Sequence, residues 1–278
     1  MRYWILILLC SPAWTVVGQD NLQPRGLETR QPAMCVGEKL RFYSPILQEE
    51  REMNVYLPPS YADSSQKNYP LVVLLDGGTE EDFLHIAGLM QFLQFDWVQG
   101  IPECILVGIG NTHRQRDFTF PSTYAPDVQD FPESGASARF IQSVEQEFLP
   151  LLQASYRCDS KRLLIGQSLG GLLASEIMLK QPRLFNHYLI VSPSLWWSDA
   201  LLLKDAPALL AAWPAEVDVS VYWCWGNEHP VMVEHAAKMA EILGAGVGLN
   251  FYGEYLPEYH HGDILHEAVE RGLRRLMN

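Results

Sequence analysis

With 278 residues, 48% of them hydrophobic and 11% aromatic, the chain can bury a substantial core and lacks the composition of a disordered protein. Its formal net charge of −13, with no basic run anywhere, excludes binding to a nucleic-acid backbone, which needs clustered Lys and Arg to neutralise phosphates. The charge is read as that of an acidic, solvated surface.

Residues 1–18 differ in character from the rest of the chain. Met1-Arg2 supplies a minimal positive start, Ile5 to Cys10 an apolar centre, and Val16-Val17-Gly18 a small-residue exit. This is the pattern of a secretory signal peptide, and with Pro12 inside it the run is too short to span a bilayer. A lipoprotein signal ending at Cys10 is the alternative, weakened by Leu9, since a small residue normally precedes a lipidated cysteine. The expectation is a periplasmic or secreted mature chain with no stable membrane span. Export would leave four cysteines, Cys35, Cys104, Cys158 and Cys224, in an oxidising compartment. Cys104 and Cys224 lie in strand-like runs and are expected as buried thiols. No C-x-x-C or other metal-ligand spacing is present, and no metal is expected.

Residues 19–36, polar and broken by Pro24, Gly26 and Pro32, read as a linker or N-terminal arm. Two alternating segments come next, Lys39 to Ser44 and Met53 to Leu57, which suggest an antiparallel edge hairpin with one wet face. Leu71 to Leu75 is instead a continuous apolar run, as in a strand covered on both faces, and it ends at Asp76-Gly77-Gly78. Helical spacing of Phe83, Ile86, Ala87, Met90 and Leu93 predicts a helix over about 82–97. Ile105 to Ile109 is another buried strand, 111–134 a long aromatic and polar loop, and 136–153 an amphipathic stretch. Beyond them the pattern predicts strands at 162–165, 188–191, 219–223 and 249–252, alternating with helices at 172–179, 200–213, 231–243 and 264–276. Alternating strands and helices behind a hairpin predict one α/β domain, 37–278, with a mostly parallel central sheet and helices on both faces. In such sheets chemistry sits at the C-terminal ends of strands. Polar residues or glycines recur there: Asp76-Gly77-Gly78, Gly110-Asn111, Ser192-Pro193-Ser194, Gly226-Asn227-Glu228 and His260-His261.

Gly166-Gln167-Ser168-Leu169-Gly170-Gly171 stands between a strand-like run and a helix-like run, the context a nucleophile elbow requires. A serine hydroxyl is a poor nucleophile at neutral pH and needs a histidine to take its proton, usually oriented by a carboxylate. His261 is the favoured base because Gly262 follows it and opens a loop-to-helix transition; His260 is its neighbour and competitor, and His266 falls on the last helix. Glu228, just past the strand ending near Trp225, is the candidate acid, with a Ser-His dyad as the alternative. The amide of Leu169, at the start of a helix, is one expected oxyanion donor, and the amide of Gly77 or Gly78 the second.

Together, Leu74-Leu75-Asp76-Gly77, Val107-Gly108-Ile109, Arg114 to Thr119, the Ser168 elbow, Ser192 to Trp197 and His261-Gly262 resemble the putative-esterase family of α/β-hydrolases over about 37–276. One branch of that family holds the siderophore esterases that hydrolyse the trilactones of enterobactin and salmochelin. The resemblance implies the α/β-hydrolase fold, Ser168 as nucleophile and His261 as base. It also implies that Arg114 points into the site to hold a substrate oxygen, with an ion pair to Asp117 as the structural alternative, and that Trp196 and Trp197 wall the cleft, with core packing the alternative for one of them. Gln167 departs from the family pattern and is expected to point away from the chemistry; Phe120 replaces the usual proline. The expected activity is hydrolysis of a small-molecule ester without a cofactor. Acyl transfer on the same fold and a non-catalytic ligand carrier are the alternatives.

Overall fold

In the computed structural model, which describes residues 35–63, 65–246 and 248–278, the two alternating N-terminal segments form a hairpin, β1 (Glu38–Ser44) and β2 (Glu49–Tyr56). The register pairs Glu38 with Val55 and Ser44 with Glu49, so β1 is the wet edge strand. The expected signal peptide, Cys10 and residues 19–34 of the expected arm lie outside the described residues.

The apolar runs become β3 (Tyr69–Leu74), β4 (Ile105–Ile109), β5 (Cys158–Gln167), β6 (His187–Val191), β7 (Val219–Gly226) and β8 (Leu249–Leu256). They form an eight-stranded sheet in the order β1-β2-β4-β3-β5-β6-β7-β8, parallel from β4 to β8 and antiparallel at β2. This is the mostly parallel α/β sheet behind an antiparallel hairpin that the alternation predicts, and the architecture that the family resemblance implies. The chain lays β4 on one side of β3 and then crosses to place β5 on the other. The C-terminal ends of β3 and β5 therefore flank the point where strand order reverses, where open α/β sheets bind ligands.

Alternate strand residues feed two cores. Val72, Leu74, Leu163, Ile165 and Leu189 pack beneath α1 (Phe83–Leu93) and α9 (Ile264–Met277). Val73, Val107, Leu164 and Ile190 pack on the opposite face, which is covered by α4 (Ser137–Ser143), α5 (Leu149–Ser155), α6 (Leu169–Lys180), α7 (Trp197–Ala211) and α8 (Pro230–Gly244). Each fully buried Leu or Ile side chain contributes on the order of 1.5–3 kcal/mol. Among the described residues no helix is long and apolar enough to cross a membrane. Cys104 and Cys224 are fully buried thiols, as expected of their strands, and Cys158 is also unbridged.

Three elements differ from expectation. The helix predicted to reach Trp97 ends at Leu93, whose carbonyl is taken by the amides of Gly100 and Ile101. The loop 111–134 contains two short helices, α2 (Arg114–Phe118) and α3 (Ala125–Asp130), too brief to show a helical period. Within 136–153 a π turn, Val144–Phe148, separates α4 from α5, because Pro150 has no N–H to continue the ladder.

Candidate active site

β5 ends at Gln167 and α6 begins at Leu169, so Ser168 alone makes the turn, at φ 59° and ψ −119°. A non-glycine residue in this region costs about 1–3 kcal/mol. Surrounding bonds hold it there: its N–H donates to Val191 O at 3.1 Å, and its carbonyl accepts from Leu172 N at 2.9 Å and Ser194 N at 3.0 Å. Gly166 is obligatory for the turn, since a Cβ there would lie 2.3 Å from Gly170 O. α6 is buried from Leu169 to Leu179, which is why its sequence shows no polar face.

Glu228 follows β7 and His261 follows β8, and the parallel pairing of those strands brings the two residues together. His261 Nδ1 lies 3.1 Å from Glu228 Oε2; the carboxylate side chain is 2% exposed and the imidazole 41%. With Nδ1–H assigned as donor to the carboxylate, Nε2 is left as the basic nitrogen. Glu228 Oε1 accepts from Ser192 Oγ and from Gly226 N at 3.4 Å. Burial pulls the Glu228 pKa upward, but hydrogen bonds from His261 and Ser192 outweigh it and hold the carboxyl below its ordinary value. His260 is engaged elsewhere: its Nδ1 meets Asn227 O at 2.8 Å, and its N–H donates to Asp263 Oδ1 at 2.6 Å.

Ser168 and His261 line one shallow cleft of about 400 Å³ with Asp76, Glu81, Asp82 and Arg114. The Ser168 hydroxyl rests 3.3 Å from Ser194 Oγ. Gln167 shares the cleft, and its side chain does not point away as expected: Nε2 donates to His261 O at 2.6 Å, tying the elbow to the loop that carries the imidazole. A cavity of about 660 Å³ lined by Arg162, Lys180 and Trp213 is larger but lies among residues that form no nucleophile–base pair.

Leu169 is the first residue of α6, so its N–H is among those with no intrahelical acceptor. The Gly77 amide, expected as a possible oxyanion donor, is already committed to Ile109 O at 2.9 Å, because the chain still runs alongside β4 at that residue. The Gly78 N–H donates to Glu81 Oε2 at 2.6 Å, and Glu81 Oε1 accepts from Asn111 at 2.7 Å. A carboxylate oxygen thus occupies the Gly78 amide, where an anionic oxygen is well received. Asp82 beside it has a raised pKa, from burial first and then from the charges of Asp76 and Glu81.

Arg114 is in the cleft but does not pair with Asp117. It forms a bidentate pair with Asp76, Nε to Oδ1 at 2.6 Å and Nη2 to Oδ2 at 2.8 Å. Asp117 instead lies buried between Arg51 and Arg116, both at 2.7 Å. Neither tryptophan lines the Ser168 cleft. Trp197 is 1% exposed, with its indole N–H donated to Phe120 O at 2.8 Å, and is a core residue. Trp196 is half-buried and lines a separate pocket of about 530 Å³ with Tyr124 and Phe131, which shares no lining residue with the Ser168 cleft.

Asp76 and the Ser192-Pro193-Ser194 run stood out in the sequence as polar residues at strand ends and as parts of the family motifs, but with no role of their own. Asn111 was likewise marked only as a polar residue at a strand end, and nothing in the sequence singled out Glu81, whose partners are set by loop packing.

The sequence profile of the family described as Putative esterase matches residues 44–252, three quarters of the chain. The ferri-bacillibactin esterase BesA of Bacillus subtilis is 30% identical over 173 residues, 56% of this chain and 58% of that protein. The iron(III) salmochelin esterase of Escherichia coli O6:H1 is 26% identical over 230 residues, 76% of this chain and 51% of that protein. The matches therefore span between half and three fifths of these two curated relatives. Among solved structures, an IroE-like serine hydrolase from Shewanella oneidensis superposes with a TM-score of 0.79 at 30% identity, over 87% of this chain and 80% of that one. The BES protein from Bacillus cereus reaches the same TM-score, 0.79, at 24% identity over 90% and 98%, a likeness of fold.

Proposed function

This chain belongs to the putative-esterase family, and from that membership we infer that it is a serine carboxylesterase working through Ser168, His261 and Glu228. The observation that carries the reading is one cleft holding a strained serine and an imidazole whose Nδ1 rests on a buried carboxylate. Ser168 Oγ attacks the ester carbonyl carbon while its proton passes to His261 Nε2. The tetrahedral oxyanion is received by the Leu169 N–H and by the Gly78 N–H once Glu81 has given it up. Collapse expels the alcohol, which takes the proton from His261, and a water deprotonated by the same imidazole releases the acid and restores Ser168. Glu228 keeps the ring in the required tautomer and stabilises the imidazolium.

The similarity to siderophore esterases supports a bulky ester, a siderophore trilactone among the candidates. The N-terminal pattern supports a periplasmic or secreted enzyme, which fractionation of cells expressing the full chain would test. To test the activity, residues 19–278 are assayed against trilactone siderophores, short acyl esters and aryl esters, beside the Ser168→Ala variant. Loss of turnover in the variant is expected; equal rates would end the proposal.

A further inference from the structure

The loop after β6 touches both ends of the Ser168–His261–Glu228 relay. Ser192 sits at φ 45°, a costly conformation for serine, with its N–H donated to Cys224 O at 2.8 Å and its hydroxyl donated to Glu228 Oε1. Two residues on, Ser194 donates its N–H to Ser168 O at 3.0 Å and sets its Oγ 3.3 Å from Ser168 Oγ. Both serines are buried, at 1% and 2% exposure. Pro193 between them packs where a Cβ on Gly171 would come within 3.0 Å of its Cα, so the loop is pressed against the helix that follows the nucleophile. Buried hydroxyls seek partners, and each of these two has its partner in the relay.

We propose that Ser194 is a catalytic hydroxyl that donates a hydrogen bond to Ser168 Oγ, and that Ser192, on the same loop, is the positioning residue for Glu228. This rests on the esterase reading of the site. A serine oxygen has two lone pairs and one proton. With one lone pair of Ser168 accepting from Ser194, its own proton is left for His261 Nε2 and the other lone pair for the carbonyl carbon. No proton leaves Ser194: the bond orients the nucleophile during attack and steadies the same oxygen as it departs in deacylation. The 3.3 Å separation is long for O–H···O, as catalytic contacts often are before substrate binds. At the other end, Ser192 occupies the carboxylate oxygen that does not face His261, which leaves Oε2 for the imidazole.

The test compares Ser194→Thr with Ser194→Val, nearly equal in volume and differing by the hydroxyl. The readouts are the second-order rate of labelling by a fluorophosphonate probe and the split of kcat and KM on an aryl ester. The Val variant is expected to label and turn over about tenfold more slowly than the Thr variant, with KM within about twofold, the effect of losing one hydrogen bond to a reacting atom. Ser194→Ala gives the same comparison against the parent if the larger side chains do not fold. Ser192→Ala and Ser192→Gly, the second relieving the positive φ, are both expected to move the acidic limb of the kcat/KM–pH profile upward. With less of the Glu228 charge drawn to Oε1, more of it faces the imidazole and stabilises its protonated form.

Equal labelling by the Thr and Val variants, or an Ala variant as fast as the parent, overturns the role of Ser194. An unmoved limb in both Ser192 variants overturns that of Ser192. Ser168→Ala keeps the two levels apart: if it retains turnover the esterase reading fails, whereas Ser168-dependent turnover with no effect of the loop serines discards the loop alone.

Discussion

Glu228 keeps its charge at 2% exposure because three donors converge on it, from His261, Ser192 and Gly226. Glu228→Gln preserves the volume but removes the charge that holds the imidazole tautomer, and kcat is expected to fall by roughly 10²- to 10⁴-fold. The same carboxylate contributes to stability. Its folded pKa is depressed, so the contribution is complete above the unfolded value and lost as pH falls through the folded one. Melting curves from about pH 5 to about pH 3 are therefore expected to drop more steeply for the parent than for Glu228→Gln. Glu81 makes the opposite prediction. Its carboxylate sits on the Gly78 amide at 2.6 Å and must leave before an oxyanion can bind there, so Glu81→Ala is expected to raise kcat/KM on an aryl ester by about threefold or more. A fall would mean that Gly78 receives no charge in the transition state.

Between elements, the proposed relay depends on β5, β6, β7 and the turn after β8 ending near the same level of the sheet. Gln167, the last residue of β5, carries the direct tie to the histidine loop through the carbonyl of His261 at 2.6 Å. Gln167→Leu retains bulk and removes the donor. It is expected to lower kcat about tenfold with KM nearly unchanged and little loss of Tm, because the bond sets the imidazole's place and not the fold. Gln167→His, which keeps a donor, is expected to recover part of the rate. A parallel rise in KM would show that Gln167 binds substrate directly. Of the two short helices in 111–134, α2 is positioned by charge, with Asp117 clamped by Arg51 and Arg116 and Arg114 by Asp76, and α3 by hydrogen bonds from Ser122 Oγ and Ser198 N to its buried Asp127. That is why periodicity gave no warning of them.

Across the whole chain the net charge of −13 implies self-repulsion in the folded state. Raising NaCl from about 10 mM to about 300 mM is expected to raise Tm by a few degrees through screening, and a fall would show that the ion pairs on the surface outweigh the repulsion. The order of the strands and of the longer helices, the wet hairpin ahead of a parallel sheet and the elbow at Ser168 were legible in the chain, because apolar spacing and glycine placement act over a few residues. His261 and Glu228 were legible as candidates, since the end of a strand can be read from where its apolar run stops. What the chain did not disclose is which polar group meets which. Gly77 spends its amide on β4, Arg114 takes Asp76 and not Asp117, Trp197 turns into the core, and Gln167 reaches the histidine loop. Each of these choices is made between segments tens of residues apart, which meet only after the sheet has assembled. Hydrophobic pattern is a property of neighbours along the chain, whereas hydrogen-bond partnership is a property of neighbours in space.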